Sequence, residues 1–182
     1  ISEEFLKMLQ ADRPAMAVEL LCSIGAVEYV LHETPSDAAI RALRTLSLET
    51  SDMCLRLATL LYGSQRSRDI MDRLRLSISE VSDITCLIQC CSEVLQWETV
   101  EDSRIREMQY KCVTADRFKE VLLLAASLSD GEAKMVEIKR RSSAMTEDGT
   151  AMYGYKLPVS GKDIIQALNL APGPVIKEYQ EY

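Results

Sequence analysis

The chain has 182 residues, 47% of them hydrophobic and 27% charged, a composition that can bury one good core and excludes a disordered or low-complexity chain. A net charge of −7 argues against a uniformly basic nucleic-acid binder. No uninterrupted apolar run reaches the roughly 18 residues of a membrane-spanning helix, and the acids of "ISEEFLKMLQ" stand where a targeting peptide needs basic residues.

The hydrophobic pattern is helical almost throughout, and no stretch alternates with period two for long enough to predict a strand. Ser2, followed by Glu3 and Glu4, caps a first helix in which Phe5, Met8 and Leu9 recur at helical spacing. The chain opens on Ile1 rather than Met with a helix beginning at once, so it is expected to be a piece of something longer. Asp12 with Pro14 starts a second helix, "PAMAVELLCSI", whose natural stop is Gly25 in the C′ position. "AVEYVL" is a short apolar segment, and Pro35-Ser36-Asp37 resets the chain into a helix carrying Ile40, Leu43 and Leu46. Thr50 or Ser51 can cap "DMCLRLATLLYG", which is apolar on nearly all sides and so predicts the buried centre of a bundle. "SRDIMDRLRLS" follows as an amphipathic helix, and Ser79 with Glu80 opens "VSDITCLIQCCSEVLQW". Thr99 heads "VEDSRIREMQYKC", and Thr114 heads "ADRFKEVLLLAASLS" before Asp130-Gly131. The helix "EAKMVEIKRRSSAM" then runs into "TEDGTAMYGYKLP", a polar, Gly-rich stretch that reads as a linker. No repeat of about 20 to 50 residues is evident.

Charge is unevenly distributed. Residues 1–37 hold seven acids against Lys7 and Arg13, whereas residues 41–75 carry Arg41, Arg44, Arg56, Arg66, Arg68, Arg73 and Arg75 against four acids. Local basic faces are therefore compatible with the net charge, and "KMVEIKRR" adds Lys134, Lys139, Arg140 and Arg141. Each such run also reads as an ordinary solvated helix face.

Six cysteines (Cys22, Cys54, Cys86, Cys90, Cys91, Cys112) sit inside apolar helical patterns, which fits buried thiols in a reducing, intracellular compartment better than a disulfide framework. Cys86-x-x-x-Cys90-Cys91 lacks the second short-spaced pair or nearby His that zinc needs. The single His32 has no visible partner for nucleophilic catalysis and is expected at a loop or helix end.

The most informative stretch is near the C-terminus, "LPVSGKDIIQALNLAPGPVIKEY". Ser160 can cap a helix beginning at Gly161, Asn169 suits its left-handed exit, and Pro172-Gly173-Pro174 fits a second helix start. Two helix N-termini then lie close together, each exposing bare backbone N–H groups, with Gly161 and Gly173 leaving no Cβ to keep a phosphate away. Lys156, Lys162 and Lys177 add whole charges, so the chemistry points to capture of a nucleic-acid backbone without reading bases. A plain helix-turn-helix packed on the bundle accounts for the same glycines.

That terminal stretch resembles the tail motif of the tRNA nucleotidyltransferases, the CCA-adding enzymes of the poly(A) polymerase-like family, in which Pro, Gly-x-Asp, a small apolar helix and a second Gly recur in this order. "ISEEFLKMLQ" with "AVELLCSIGAVEYVL" is similar to the neck of that family, and "LRLATLLYG" and "DRLRLS" resemble segments of its body; residues 92–150 match only as helices. The resemblance implies that Lys156, Gly161, Lys162 and Gly173 contact phosphate, with Ser160 and Lys177 beside them and Lys139, Arg140 and Arg141 as a second patch. Lys177 stands where the family commonly has another Gly. The family's transfer of a nucleotide from CTP or ATP uses an Asp-x-Asp pair holding two metal ions in an N-terminal head. This sequence contains no Asp-x-Asp, and Glu101-Asp102-Ser103-Arg104 falls one residue short of the family's nucleotide-reading motif and out of order. No catalytic residue and no metal ligand is therefore assigned here; magnesium and CTP or ATP would belong to a head outside this chain.

The expectation is thus an all-α protein, an irregular multi-helix bundle or superhelix with a small C-terminal helix-turn-helix tail. It divides into a neck-like hairpin and following helix (1–49), a helical body (50–146), and a linker with an RNA-binding-like tail (147–182). Its expected partners are tRNA or another structured RNA, and no membrane. The rival expectation is a head-less homologue acting as a structural subunit among the proteins of a larger ribonucleoprotein, such as an organellar (mitochondrial) ribosome. Mitochondrial, cytoplasmic and nuclear locations stay open.

Overall fold

The computed structural model describes residues 2–129, 131–155 and 165–166. These residues are helical without a strand, and residues 2–147 form ten helices in chain order: α1 (Ser2–Gln10), α2 (Pro14–Ser23), α3 (Val27–Leu31), α4 (Asp37–Leu46), α5 (Met53–Leu61), α6 (Ser67–Arg73), α7 (Ile78–Gln96), α8 (Asp102–Cys112), α9 (Ala115–Leu128) and α10 (Glu132–Glu147). The all-α class read from the sequence is the class observed.

Helix α5 is buried on every side from Leu55 through Leu61 and packs on α1, α4, α7 and α9. Its all-round apolar sequence leaves it no solvent face, so it occupies the centre. The longer amphipathic helices α7 and α9 pack on each other and enclose it, through Ile84, Leu87 and Val94 on one and Phe118, Val121 and Leu124 on the other. Helices α8 and α10 close the far side of α9, and α1 and α2 form the expected hairpin, with α2 lying on α4.

Local chemistry sets the helix ends. Gly25 adopts a φ of +68°, its N–H bonds Cys22 O at 3.1 Å, and the Ala26 N–H returns to Leu21 O at 2.8 Å. That pattern is a Schellman stop at the glycine expected. Thr114 heads α9 as expected, accepting the Arg117 amide, and within the Pro35-Ser36-Asp37 reset it is Ser36 that caps α4, through the amide of Ala39. Other starts differ from the expectation. Asp52, not Thr50 or Ser51, caps α5 through Leu55 N at 2.7 Å, because a carboxylate is the stronger acceptor at an N-cap. Thr50 instead accepts the Asp52 N–H. The cap of α7 lies two residues before Ser79: Ser77 accepts the Glu80 amide and Glu80 bonds back to the Ser77 N–H at 2.7 Å, a capping box. Helix α8 begins after Glu101 rather than at Thr99, and Arg13 rather than Asp12 precedes Pro14 at the start of α2. His32 ends α3 in the left-handed region at φ +55°.

A buried arginine and a half-buried lysine tie helix ends together. The Arg56 guanidinium donates to Leu9 O (2.6 Å), Ala11 O (2.8 Å), Thr50 O (2.8 Å) and Ser47 O (3.2 Å), so it saturates the carbonyl ends of α1 and α4 at once. The Lys134 ammonium, from the first turn of α10, donates to Val94, Leu95 and Trp97 O, each at 3.1 Å, and so closes α7. Both place positive charge on the negative end of a helix.

The segment after α10 folds back. The Met152 N–H bonds Gln109 Oε1 at 3.0 Å, and the Tyr153 hydroxyl lies 2.8 Å from Ser142 Oγ, with its ring edge-on to Phe118 at 6.0 Å between centroids. Residues 150–153, inside the stretch that reads as a linker, thus rest on α8, α9 and α10.

Candidate nucleic-acid interface

Consecutive residues on a helix project about 100° apart, so Lys139, Arg140 and Arg141 fan around α10 rather than sharing one face. Glu137, three and four residues earlier, takes both arginines: Arg140 donates to it at 2.8 and 2.9 Å and Arg141 at 2.6 Å. Arg141 also reaches Val100 O at 3.0 Å and Asp102 at 3.3 Å, fastening α10 to the start of α8. The hydrogen bonds from Arg140, then those from Arg141, hold the Glu137 carboxyl down to about 2, so the cluster is fully ionised at neutral pH. Arg141, half-buried, is thereby engaged by Glu137, Val100 and Asp102, while Arg140 keeps an open face at 66% side-chain exposure.

Lys139 belongs to a different surface. It lines an open groove of about 310 Å³ between α9 and α10, together with Lys119, Phe118, Leu122, Ser143 and Tyr153. The structure therefore joins Lys139 to Lys119, which the sequence did not single out, and separates it from Arg141. Lys119 is exposed and pairs with Asp116 at 3.1 Å, and Glu147 stands at the end of the same groove. The sequence signal for Lys119 was its place on the helix "ADRFKEVLLL", but nothing in that helix alone says that α10 lies alongside.

The tail candidates Lys156, Ser160, Gly161, Lys162, Gly173 and Lys177 lie outside the described residues. Most of the arginine-rich stretch does not make the basic face its composition allows. Arg56 is buried, Arg44 pairs with Glu19, Arg68 with Asp72 at 3.5 Å, Arg66 donates to His32 O and Arg73 to Tyr29 O.

A larger open cleft of about 730 Å³ lies between α6, α7 and α8, with Cys86 and Cys90 among its lining and Lys111 at its rim, paired to Glu93 at 2.9 Å and Glu107 at 2.8 Å. Cys86 and Cys90 are 3.8 Å apart. A hydrogen bond with Cys90, then burial, pushes the Cys86 thiol up, and a hydrogen bond with Cys112, with burial, pushes Cys90 up to about 12. Cys91 is pushed up to about 12 by burial. All three stay protonated at neutral pH, so they are poor nucleophiles. Among the described residues, no three His, Cys, Asp or Glu side chains converge where a metal ion would sit, and no helix is long and apolar enough to cross a membrane.

Helix α2 exposes Met16 (55%) and Leu20 (62%), and its C-cap Ile24 (67%) continues the four-residue spacing, one apolar stripe facing solvent, with Tyr29 (77%) just beyond. Its other face, Ala15 and Val18, is buried.

The chain matches no protein-family model, no curated protein and no solved structure.

Proposed function

We propose that this chain is the RNA-holding part of a nucleotidyltransferase-like protein, gripping the backbone of a tRNA or another structured RNA so that its 3′ end is presented to a catalytic head supplied from outside these residues. No step of the transfer is assigned to this chain. The observation that supports the reading is one of position. Lys119 and Lys139 flank an open groove that Tyr153 lines, and the segment carrying Lys156, Ser160-Gly161-Lys162 and Gly173 follows Tyr153 directly along the chain. Helix starts with glycine and lysine favour phosphate through backbone N–H groups and charge together, and Arg140 adds an exposed cation on the neighbouring face.

The test is binding of tRNA followed against salt. The log-log slope should correspond to a handful of phosphate contacts, and Lys162→Glu should weaken binding several-fold and lower the slope by about 1. An unchanged affinity and slope would remove Lys162 from the interface.

The α2 stripe favours a second reading, a helical subunit held by another protein within a ribonucleoprotein. Contiguous exposed apolar side chains on one helix face are what a protein partner covers. On that reading, Leu20→Glu dissolves a complex that survives RNase treatment; a chain that stays monomeric and partnerless before and after the substitution contradicts it.

A further inference from the structure

The groove between α9 and α10 has a composition that backbone gripping alone does not explain. Its walls are Phe118 and Leu122 from α9 and Tyr153 from the returning segment, its rim carries Lys119 on one side and Lys139 on the other, and the Ser143 and Thr146 hydroxyls stand along α10. Phe118 is almost fully buried and meets the half-buried Tyr153 ring edge-on, so the aromatic floor is fixed by packing. The Tyr153 hydroxyl is held by Ser142, which in turn accepts from Gln109 Nε2 at 2.9 Å, and this chain of hydrogen bonds sets the ring in place. At about 310 Å³ the space is at the small end of ligand pockets.

From this juxtaposition of a rigid aromatic-apolar floor with two lysines across its rim, we propose that the α9–α10 groove receives one unpaired nucleotide of the bound RNA. The base lies on the Tyr153–Leu122 floor, the flanking phosphates face Lys119 and Lys139, and the α10 hydroxyls and Glu147 meet the base or ribose edge. The inference rests on the RNA-holding reading and adds to it a base-binding position. An apolar floor with a cationic rim matches an unstacked nucleotide, whose flat face is apolar and whose backbone is anionic. A double helix offers no such face to a groove of this size. Glu147 and the Asp116 partner of Lys119 keep the groove from being a general anion trap, which fits selection for a base rather than for phosphate alone.

The experiment uses the whole chain with a short oligouridylate carrying 5-iodouridine, and with tRNA as a second RNA. Irradiation should place the crosslink on the peptide containing Tyr153. The double substitution Lys119→Gln with Lys139→Gln should weaken oligouridylate binding about tenfold and lower its salt slope by about 1.4, the value for two phosphate contacts on a single strand. Ser143→Trp, at an exposed position on α10, plugs the groove while keeping every charge, and should abolish the Tyr153 crosslink. If either RNA binds the unaltered chain but the crosslink maps elsewhere and both variants bind as before, the groove assignment is overturned while the RNA-holding reading stands. If neither RNA binds, both fall.

Discussion

Replacing Arg56 with leucine lowers the unfolding free energy by about 3–5 kcal/mol, an effect at the upper end for one residue. The guanidinium is buried at 2% exposure, and its hydrogen bonds run to four main-chain carbonyls on two different helix ends. Leucine leaves those carbonyls without donors. Each buried acceptor so orphaned costs about 1–3 kcal/mol; several of these four keep some access to water, so the total falls short of the full sum. Burial disfavours the charge, and the nearby Asp12 and Asp52 partly offset this. Arg56→Lys should recover only part of the loss, because an ammonium cannot span the same fork of acceptors. Urea denaturation of the three proteins checks this, and a leucine variant within about 1 kcal/mol of the parent would show that water takes over Arg56's role.

Gln109→Leu comes second, with a loss of about 2–4 kcal/mol. Gln109 is fully buried, donates to Ser142 Oγ and accepts the Met152 N–H. Leucine fits the volume but leaves that amide unpaired and removes one support of the Ser142–Tyr153 contact. The consequence reaches function, since the Met152–Tyr153 segment carries the groove's aromatic floor. Amide exchange at Met152 and Tyr153 should rise in the variant, while exchange in α5 rises only as far as the global loss requires. Unchanged exchange at Met152 would mean that the segment is held by Phe118 packing alone.

The helices were legible because their determinants are local. Gly25, Ser36 and Thr114 each act on amides or carbonyls a few residues away, and the position of α5 at the centre follows from its own composition. Two of the misplaced starts, those of α7 and α5, fell where competent caps lie within two residues of each other. Ser77 and Ser79 both precede Glu80, but only Ser77 has the three-residue spacing that lets serine and glutamate cap each other. Thr50, Ser51 and Asp52 compete in the same way.

The candidate site was less legible, for a physical reason that differs residue by residue. Glu137's capture of Arg140 and Arg141 follows from spacing of three and four on one helix and was there to be read in "VEIKRR". The burial of Arg56 was not, because its acceptors Leu9 and Ala11 lie more than 40 residues away. Lys119 meets Lys139 across a groove only because α9 and α10 pack side by side, a tertiary fact with no local signature.

Hydrogen exchange of the chain with and without tRNA tests the central claim most directly. The RNA-holding account predicts protection along the outer face of α10, in residues 150–155 and through 156–177, with α2 exchanging as before. Protection confined to α2 and α3, with α10 and the C-terminal segment unaffected, would contradict it.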